Sequence, residues 1–345
     1  MSARIGPRQT LAAASLALFL IGLSSASASS QTLRAVQARG SVVCGVNEGL
    51  AGFSIADDKG AWSGLDVDFC RALAAAVFGD PTKVQYAPQS ADGRFEALQS
   101  GKIDVLARNS TWTMGRETGF GLTFAGVNYY DGQGFLVRKA QGVQSALELD
   151  SAKVCVQSGT TTIDNLGDFF TGNNMKFEPV VGSSAAETLK DYEAGQCSVL
   201  TTDVSGLYAL RLQLAKPGDH VILPDIISKE PLGPAVRQGD PQWADIVKWV
   251  LFAMIDAEEL GVGSKTIGQA LKSNKPAVMR LVGTEGNFGE QLGLTKSWAA
   301  NVVGMVGNYG EVFERNVGSK SKLGIPRGLN ELWNMGGIQY APPIR

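Results

Sequence analysis

Histidine and cysteine are scarce in this sequence of 345 residues, which contains one histidine, His220, and four cysteines. None of the cysteines forms a C-x-x-C pair, so their spacing excludes zinc-ribbon and thioredoxin-type redox sites. A single histidine cannot serve both a catalytic triad and a metal site. We therefore expect no metal centre and no cofactor.

The familiar catalytic motifs are missing as well. The sequence has no G-x-S-x-G elbow, no H-E-x-x-H zinc motif and no P-loop, and the glycines near 261–263 do not complete a dinucleotide fingerprint. The acidic pairs at 57–58 and 258–259 lie in turn or helix-end contexts, where carboxylates are usually solvated. Because a carboxylate alone suffices for acid–base chemistry, a secreted dehydratase-like enzyme acting on a small carboxylate substrate is kept as the alternative to a non-catalytic protein.

A large excess of charge is also lacking, since the formal net charge is −2. A weakly acidic chain with interspersed signs gives no electrostatic reason to bind nucleic acid or an anionic membrane surface. After residue 23, no stretch is long and apolar enough to span a bilayer. The body of the chain is therefore predicted to be soluble and to have no nucleic-acid partner.

The first residues, 1–28, have the pattern of a secretory signal peptide. Arg4 and Arg8 precede an apolar run at 11–23, and small residues then lead to a predicted cleavage site after Ala28. A transmembrane anchor is the alternative, but the run is too short for one and is rich in alanine and serine. The sequence thus predicts export to the periplasm.

Residues 29–133 alternate between strand and helix patterns and form the first part of a predicted first lobe. In one helix, apolar residues recur at every fourth position from Leu65 to Val77, and Gly79 ends the pattern. The order strand–helix–strand–helix–strand predicts a parallel α/β sheet. Strands are predicted at 41–46, 83–86 and 103–107, and helices at 65–78 and 94–99.

The pattern repeats in residues 134–236, which we assign to a second lobe. Two extended runs with polar flanks, at 134–138 and 233–240, are predicted to be the crossings between the lobes. Residues 237–345 are predicted to return to the first lobe through a long helix from Pro241 and to end in a C-terminal extension that is rich in glycine. Two lobes joined by a double crossing enclose a cleft that rigid-body closure can seal around a ligand.

Three polar segments follow predicted strands, at the edge where open α/β sheets bind ligands. The first contains Thr111 and Arg116, whose hydroxyl and forked guanidinium suit a carboxylate. The second contains Gln157 and then Thr160 and Thr161 of a Gly-Thr-Thr run. This run lies at a strand-to-helix junction, where backbone N–H groups suit an anion.

The third segment ends in Asp203, a possible acceptor for an ammonium group, and Phe53 in an earlier loop is a possible stacking partner for a ligand side chain. Each candidate also has a structural alternative. Arg116 can pair with Glu117 on the surface. The Gly-Thr-Thr run and Asp203 can cap helices, and Phe53 can fill the core of its lobe.

Together these segments resemble the polar amino-acid-binding proteins of ABC importers, known as solute-binding protein family 3. The resemblance rests on Thr-x-Thr-x-x-Arg at 111–116, Gly-Thr-Thr at 159–161 and the strand-end Asp203. It implies the two-lobed α/β fold of type II periplasmic-binding proteins and capture of free L-amino acids for a membrane ABC permease. Three further stretches are similar to the general L-amino-acid-binding branch, which implies a broad range: residues 47–54, 62–68 and 108–113.

The resemblance also implies how the ligand's backbone groups are held. Arg116, the hydroxyl of Thr111 and the amide of Thr161 in the Gly-Thr-Thr run would bind the α-carboxylate, with Thr160 beside them in the site. Gly115 stands where many relatives carry an acid, and since it precedes the arginine it need not touch the ligand.

The ammonium and the side chain of the ligand would be met by other residues. By resemblance, Asp203 and the backbone carbonyl of Asn109 would accept hydrogen bonds from the ammonium. Phe53 would pack on the ligand side chain, and Gln157 would face the side-chain pocket. The preferred amino acids are not defined by these residues.

The four cysteines are distributed two to each predicted lobe. Cys44 and Cys70 lie in the first lobe, and Cys155 and Cys197 lie in the second. We predict the disulfides Cys44–Cys70 and Cys155–Cys197, because a bond between lobes would block hinge motion. Buried free thiols are the alternative. The protein is expected to act as a monomer.

Overall fold

The computed structural model describes residues 1–3 and 31–345 of the chain. The predicted signal peptide and its cleavage site lie almost wholly outside the described residues, so export stays a prediction. Within the part of the chain that the structure describes, no helix is both long enough and apolar enough to cross a membrane.

Strands and helices alternate along the described residues. The strands are β1 Val42–Asn47, β2 Ile55–Ala56, β3 Trp62–Ser63, β4 Val84–Gln89, β5 Val105–Leu106, β6 Leu122–Phe124, β7 Tyr129–Asp131, β8 Gln133–Arg138, β9 Ala152–Gln157, β10 Phe177–Gly182, β11 Val199–Asp203, β12 His220–Ile222, β13 Glu230–Leu232 and β14 Ala235–Arg237. The α-helices are α1 Gln31–Arg39, α2 Leu65–Phe78, α3 Arg94–Gln99, α4 Met114–Gly119, α5 Thr162–Gly172, α6 Ala185–Glu193, α7 Val204–Arg211, α8 Pro241–Glu259, α9 Ile267–Ala270, α10 Pro276–Val282, α11 Phe288–Leu292, α12 Trp298–Met305 and α13 Tyr309–Asn316. Short 3₁₀-helices lie at Lys139–Gln141, Ala146–Glu148, Pro217–Asp219, Gly328–Asn330 and Trp333–Met335.

Five strands form the sheet of the first lobe, in the order β4-β1-β5-β14-β6. β1 runs parallel to β4 and β5, whereas β14 runs antiparallel to β5 and β6. Helix α2 packs in this lobe because Leu65, Phe69 and Leu73 share one face, and all three are buried. It ends at Gly79, whose φ of 66° is a left-handed conformation that glycine adopts without strain. The helix predicted at 65–78 is therefore confirmed.

The second sheet has the order β10-β9-β11-β8-β12. β9 runs parallel to β10 and β11, and β8 runs antiparallel to β11 and β12. Residues 134–138, which were predicted to cross between lobes, lie inside β8. Phe135, Leu136 and Val137 are each 0% exposed and pack alternately into the cores on the two faces of the sheet. Residues 134–138 therefore belong to the core of the second lobe and do not form a crossing between the lobes.

The two sheets are joined by a separate antiparallel pair, β7 and β13, which we call the connecting ribbon. In its register Glu230 lies opposite Asp131, and Leu232 lies opposite Tyr129. The second predicted crossing, at 233–240, was also misplaced, since β14 belongs to the first sheet. Both predicted crossings were placed at neighbouring extended runs instead of the ribbon. The ribbon itself was not recognised, because β7 and β13 have three residues each and show no hydrophobic periodicity.

Two disulfides are present, and both match the predicted pairs. Cys44–Cys70 joins β1 to α2, and Cys155–Cys197 joins β9 to the turn before β11. Each bond therefore lies within one lobe, and neither restrains one lobe against the other.

The C-terminal extension packs on the first lobe and reaches the connecting ribbon. The amide of Asn330 accepts from the Tyr130 N–H at 2.7 Å and donates to the Tyr130 carbonyl at 3.0 Å. The Tyr309 hydroxyl donates to the Asn128 carbonyl at 3.0 Å. These bonds occupy the edge of β7 that β13 leaves open, where an unpaired strand would otherwise expose its backbone groups.

We expect the substitution Asn330→Ala to lower the free energy of unfolding by about 1–3 kcal/mol, because both backbone groups of Tyr130 lose their partner. Urea denaturation measures this change. Asn173→Ala is a suitable control, since that exposed side chain in the second lobe makes one hydrogen bond, to the Phe169 carbonyl at 2.8 Å. The control is expected to cost about 0.5 kcal/mol or less. Equal losses in both variants would contradict the role assigned to Asn330.

Candidate functional site

A cavity lies between the lobes, where β1 and β5 of the first sheet and β9 and β11 of the second come to their carboxyl ends. Among the residues predicted to bind a ligand, Phe53 alone is absent from its lining. The lining residues are Asn47, Leu50, Arg94, Arg108, Asn109, Thr111 and Arg116 from the first lobe, and Gln157, Thr160, Thr161, Thr162, Ala185, Thr202, Asp203, Gly206 and Leu210 from the second.

Phe53 lies in the hydrophobic core instead of the cavity. Its side chain is 0% exposed and packs edge-on against Tyr129, with ring centroids 5.3 Å apart. The prediction that Phe53 packs on a ligand is therefore wrong, because the loop turns its ring inward and the core-filling alternative holds. Leu50, three residues earlier, supplies an apolar wall of the cavity.

Both the backbone and the side chain of Arg116 form hydrogen bonds with residues of its own segment. Its backbone N–H donates to the Thr113 hydroxyl at 3.1 Å, which caps α4, and its guanidinium Nη1 donates to the Thr111 carbonyl at 3.0 Å. The guanidinium carbon lies 5.4 Å from the centroid of the Phe95 ring. These contacts fix the forked group at the cavity wall, where its other N–H donors are available.

The surface salt bridge between Arg116 and Glu117 is not formed. The Glu117 carboxylate accepts instead from the indole N–H of Trp112 at 2.8 Å. Burial lowers the pKa of Arg116, and the nearby Glu230 carboxylate opposes that shift. A ligand carboxylate would favour the charged guanidinium in the same way.

Thr111 and Thr161 come from different lobes but share one acceptor. Their hydroxyls donate to Oε2 of Glu230, at 2.5 Å and 3.0 Å. Because a hydroxyl has a single proton, the Thr111 hydroxyl cannot donate to a ligand while it donates to Glu230, and its predicted part in ligand binding stays a prediction. The backbone N–H groups of both threonines have no partner among the described residues, so they are the available donors.

The Gly-Thr-Thr run at 159–161 leads into α5 and borders the cavity. The Thr160 hydroxyl donates to the Gln157 carbonyl at 2.8 Å and accepts from the Thr162 N–H at 3.3 Å. The N-cap residue of α5 is Thr161, which makes no side-chain capping hydrogen bond, so the Thr160 hydroxyl forms a turn just before the helix. This turn is compatible with anion binding, because the first N–H groups of a helix outnumber the acceptors that a cap supplies.

The lobes touch each other beside the cavity. The Ser158 hydroxyl donates to the Asp92 carboxylate at 3.1 Å, and Nη2 of Arg94 donates to the Gly159 carbonyl at 3.1 Å. Gly159 has a φ of 69°, and a Cβ at this position would lie 2.1 Å from Asp92. Glycine is therefore required for this close approach, and the structure represents a closed cleft.

Asp203 stands at the N-cap position of α7, yet its side chain makes no capping hydrogen bond. The capping alternative is thus excluded, and the carboxylate remains an available acceptor on the cavity wall. Burial raises the pKa of Asp203 well above its ordinary value, and the carboxylates of Asp131 and Glu230 add to the shift. The guanidiniums of Arg116 and Arg94 oppose it. An ammonium group nearby would favour the ionised form.

Asn109 is positioned by strain and by two neighbours. Its φ of 35° lies in the left-handed region, which residues other than glycine seldom adopt. Its N–H donates to Asp66 at 2.8 Å, and its side-chain oxygen accepts from Asn47 at 3.0 Å. Its carbonyl accepts no backbone hydrogen bond from the described residues, which fits the expected acceptor for an ammonium.

Two further arginines line the cavity, and the sequence interpretation missed both. Arg94 is 2% exposed and Arg108 is 5% exposed. The Nε of Arg94 is buried without a partner, whereas the Nε of Arg108 donates to the Gln89 carbonyl at 2.8 Å. Burial lowers the pKa of Arg108 to about 10. Arg108 directly follows a predicted strand, so the strand-end rule could have found it. Arg94 opens a predicted helix and gave no such signal.

Positive charge thus dominates the wall of the first lobe. No carboxylate of the described residues lies within 4.0 Å of the guanidinium of Arg94, Arg108 or Arg116. The described residues also contain no cluster of His, Cys, Asp and Glu that could hold a metal ion. The wall therefore suits an anionic organic group.

The sequence matches known proteins along nearly its whole length. A sequence model of the bacterial extracellular solute-binding proteins, family 3, matches residues 42–265. The general L-amino acid-binding periplasmic protein AapJ of Rhizobium johnstonii is 56% identical over 97% of this chain and 98% of its own. The glutamate/glutamine/aspartate/asparagine-binding protein BztA of Rhodobacter capsulatus is 50% identical over 94% of this chain and 97% of its own.

A solved structure agrees in fold as well as in sequence. The periplasmic binding protein of an ABC transporter from Brucella ovis, with glutathione bound, is 53% identical and superposes with a TM-score of 0.90 over 92% of this chain and 100% of its own. The expected two-lobed periplasmic-binding-protein fold is thereby confirmed, and the similarity extends through the C-terminal extension. The chain belongs to the bacterial extracellular solute-binding proteins of family 3.

Proposed function

We propose that this protein captures free L-amino acids in its closed cleft and delivers them to the permease of an ABC importer. The observation that carries the proposal is a complementary pair of groups on one cavity. Arg116 and the free N–H groups of Thr111 and Thr161 suit a carboxylate, and the unbonded carboxylate of Asp203 suits an ammonium. A free α-amino acid carries both charges on one carbon. The names of AapJ and BztA support the assignment.

The rest of the cavity favours polar and acidic side chains. Arg94 and Arg108 add two guanidiniums beyond the one that an α-carboxylate needs, so a ligand with a second carboxylate gains further charge-assisted hydrogen bonds. BztA is named for acidic amino acids and their amides, and the Brucella ovis protein has glutathione bound. We infer a range that includes neutral amino acids and extends to these acidic ligands.

The protein acts in the periplasm as a monomeric, non-catalytic carrier in this proposal. Its relatives are named as binding proteins, which supports a role without turnover and disfavours the dehydratase-like alternative. The name of AapJ and the signal-peptide pattern in residues 1–28 support periplasmic action. Affinity is expected on the order of micromolar or tighter, about −8 kcal/mol.

Arg116→Ala is expected to weaken binding of L-glutamine by about a hundredfold or more, because the ligand carboxylate loses a buried partner whose loss costs roughly 3–5 kcal/mol. Arg116→Lys keeps the charge without the fork and should give an intermediate loss. Calorimetric titration of protein that has been unfolded and refolded to remove carried-over ligand measures both. An unchanged Kd for Arg116→Ala in a folded variant would refute the assignment.

Arg94→Gln is expected to reduce affinity for L-glutamate more than affinity for L-glutamine. A charge-assisted hydrogen bond contributes about 1.5–3 kcal/mol, so the ratio of the two Kd values should change by about tenfold or more. Lys265→Gln removes the same charge from an exposed position and should leave the ratio unchanged. Equal losses for both ligands would show that Arg94 does not contact the second carboxylate.

Binding should depend on pH through Asp203. Because its pKa is raised in the protein, part of the population is protonated as the pH falls towards the acidic range, and an ammonium ligand binds the ionised form. Affinity for L-alanine should therefore increase as the pH rises from about 4 to 8, and binding should release protons to the buffer. Titration in buffers of different ionisation enthalpy detects this release. An unchanged pH profile in Asp203→Asn would exclude Asp203 as the cause.

A further inference from the structure

Glu230 is a buried carboxylate on the connecting ribbon, next to the cavity but outside its lining. It is 1% exposed and belongs to β13, directly opposite Asp131 of β7. No lysine or arginine of the described residues forms a salt bridge with it. A buried carboxylate without a salt bridge requires several hydrogen-bond donors, since its desolvation costs several kcal/mol.

Four side-chain donors converge on this carboxylate. Oε2 accepts from the hydroxyls of Thr111 and Thr161, and Oε1 accepts from the amide of Asn165 at 2.6 Å and the hydroxyl of Ser228 at 2.7 Å. Thr111 follows the first sheet, whereas Thr161 and Asn165 belong to the start of α5 in the second lobe. The carboxylate therefore ties both lobes to the ribbon that joins them.

These bonds determine which atoms of the two threonines are available. Each hydroxyl directs its only proton to Glu230, and this fixes the rotamer of the side chain and restrains the backbone N–H that borders the cavity. Separation of the lobes would break at least one of the two threonine bonds, because the donors come from different lobes. Closure therefore completes the set of hydrogen bonds to Glu230. At the same time it positions the backbone N–H groups of Thr111 and Thr161 at the cavity.

We propose that Glu230 is a positioning residue that couples closure of the cleft to capture of the ligand, by holding Thr111 and Thr161 across the two lobes. The inference rests on the proposed function of the same cavity. It assigns to the ribbon a direct part in binding, in addition to its part as a connection between the sheets.

The test compares Glu230→Gln, Thr161→Val and the double variant with the wild-type full chain. A carboxamide has one acceptor oxygen in place of two, so two of the four donors must reorient or remain unpaired. Titration with L-glutamine gives Kd, thermal unfolding without ligand gives stability, and small-angle X-ray scattering with and without L-glutamine gives the compaction on closure. Glu311→Gln is the control, since Glu311 accepts from Ser264 and Asn308 in the C-terminal extension, away from the cavity.

We expect Glu230→Gln and Thr161→Val each to weaken L-glutamine binding by about tenfold to a hundredfold, and to reduce compaction at a fixed ligand concentration. The double variant should bind little worse than Glu230→Gln, because both changes remove the same interaction. Glu311→Gln should lower the unfolding temperature without changing Kd. Thr161→Val keeps the carboxylate and therefore tests the coupling even if Glu230→Gln fails to fold.

Additive losses in the double variant would overturn the proposal, because the hydroxyl of Thr161 would then act on the ligand independently of Glu230. An unchanged Kd in folded Glu230→Gln would overturn it too, while wild-type binding would leave the proposed function intact. Failure of the wild type to bind any L-amino acid would instead refute the proposed function, and the inference about Glu230 with it.

Discussion

Buried positive charge that forms no salt bridge with the described residues is the constraint on which the cleft depends. Arg94, Arg108 and Arg116 are almost fully buried, and each donates to a backbone carbonyl rather than to a carboxylate. Carbonyl dipoles only partly offset the desolvation of a guanidinium, which costs several kcal/mol for an ion moved out of water. An anion bound beside these guanidiniums would offset part of this cost.

The negative groups lie on the opposite side, around the connecting ribbon. Asp203 ends β11, and the neighbouring carboxylates Asp131 and Glu230 face each other across the ribbon. Burial raises the pKa of Asp131 to about 6, and burial also raises the pKa of Asp203 well above its ordinary value. The cavity is therefore polarised, with cations on the first lobe and carboxylates on the ribbon and the second lobe. A zwitterion is oriented by such a field before any side-chain contact is made.

The sequence predicted most of the fold because, in the regular elements, the hydrophobic periodicity agrees with the glycines and prolines that mark where each element ends. Helix α2 and its glycine cap followed from spacing alone, and both disulfides followed from the assignment of cysteines to lobes. The lining residues that were predicted lie at or shortly after the end of a predicted strand, as Asp203 does at the end of β11. The prediction that Phe53 packs on a ligand failed because the direction in which a loop side chain points depends on tertiary packing. Glu230 was missed because a strand of three residues has no periodicity, and because three of its four partners, Thr111, Thr161 and Asn165, are distant in sequence.

The connecting ribbon contacts both the residues that line the cavity and the C-terminal extension, which lies beyond the family match at 42–265. One strand of the ribbon, β13, carries Glu230 and thus the link to Thr111 and Thr161 in the cavity lining. The other strand, β7, is held on its free edge by Asn330, and the chain leading into it is held by Tyr309 and by Gln339, which donates to the Val127 carbonyl at 3.3 Å. The extension therefore holds β7 at its start, while Asp131 at the end of β7 and Glu230 of β13 accept hydrogen bonds from the second lobe. Because the start of β7 is fixed to the first lobe, a change in the angle between the lobes must occur within the ribbon or between the ribbon and the second lobe.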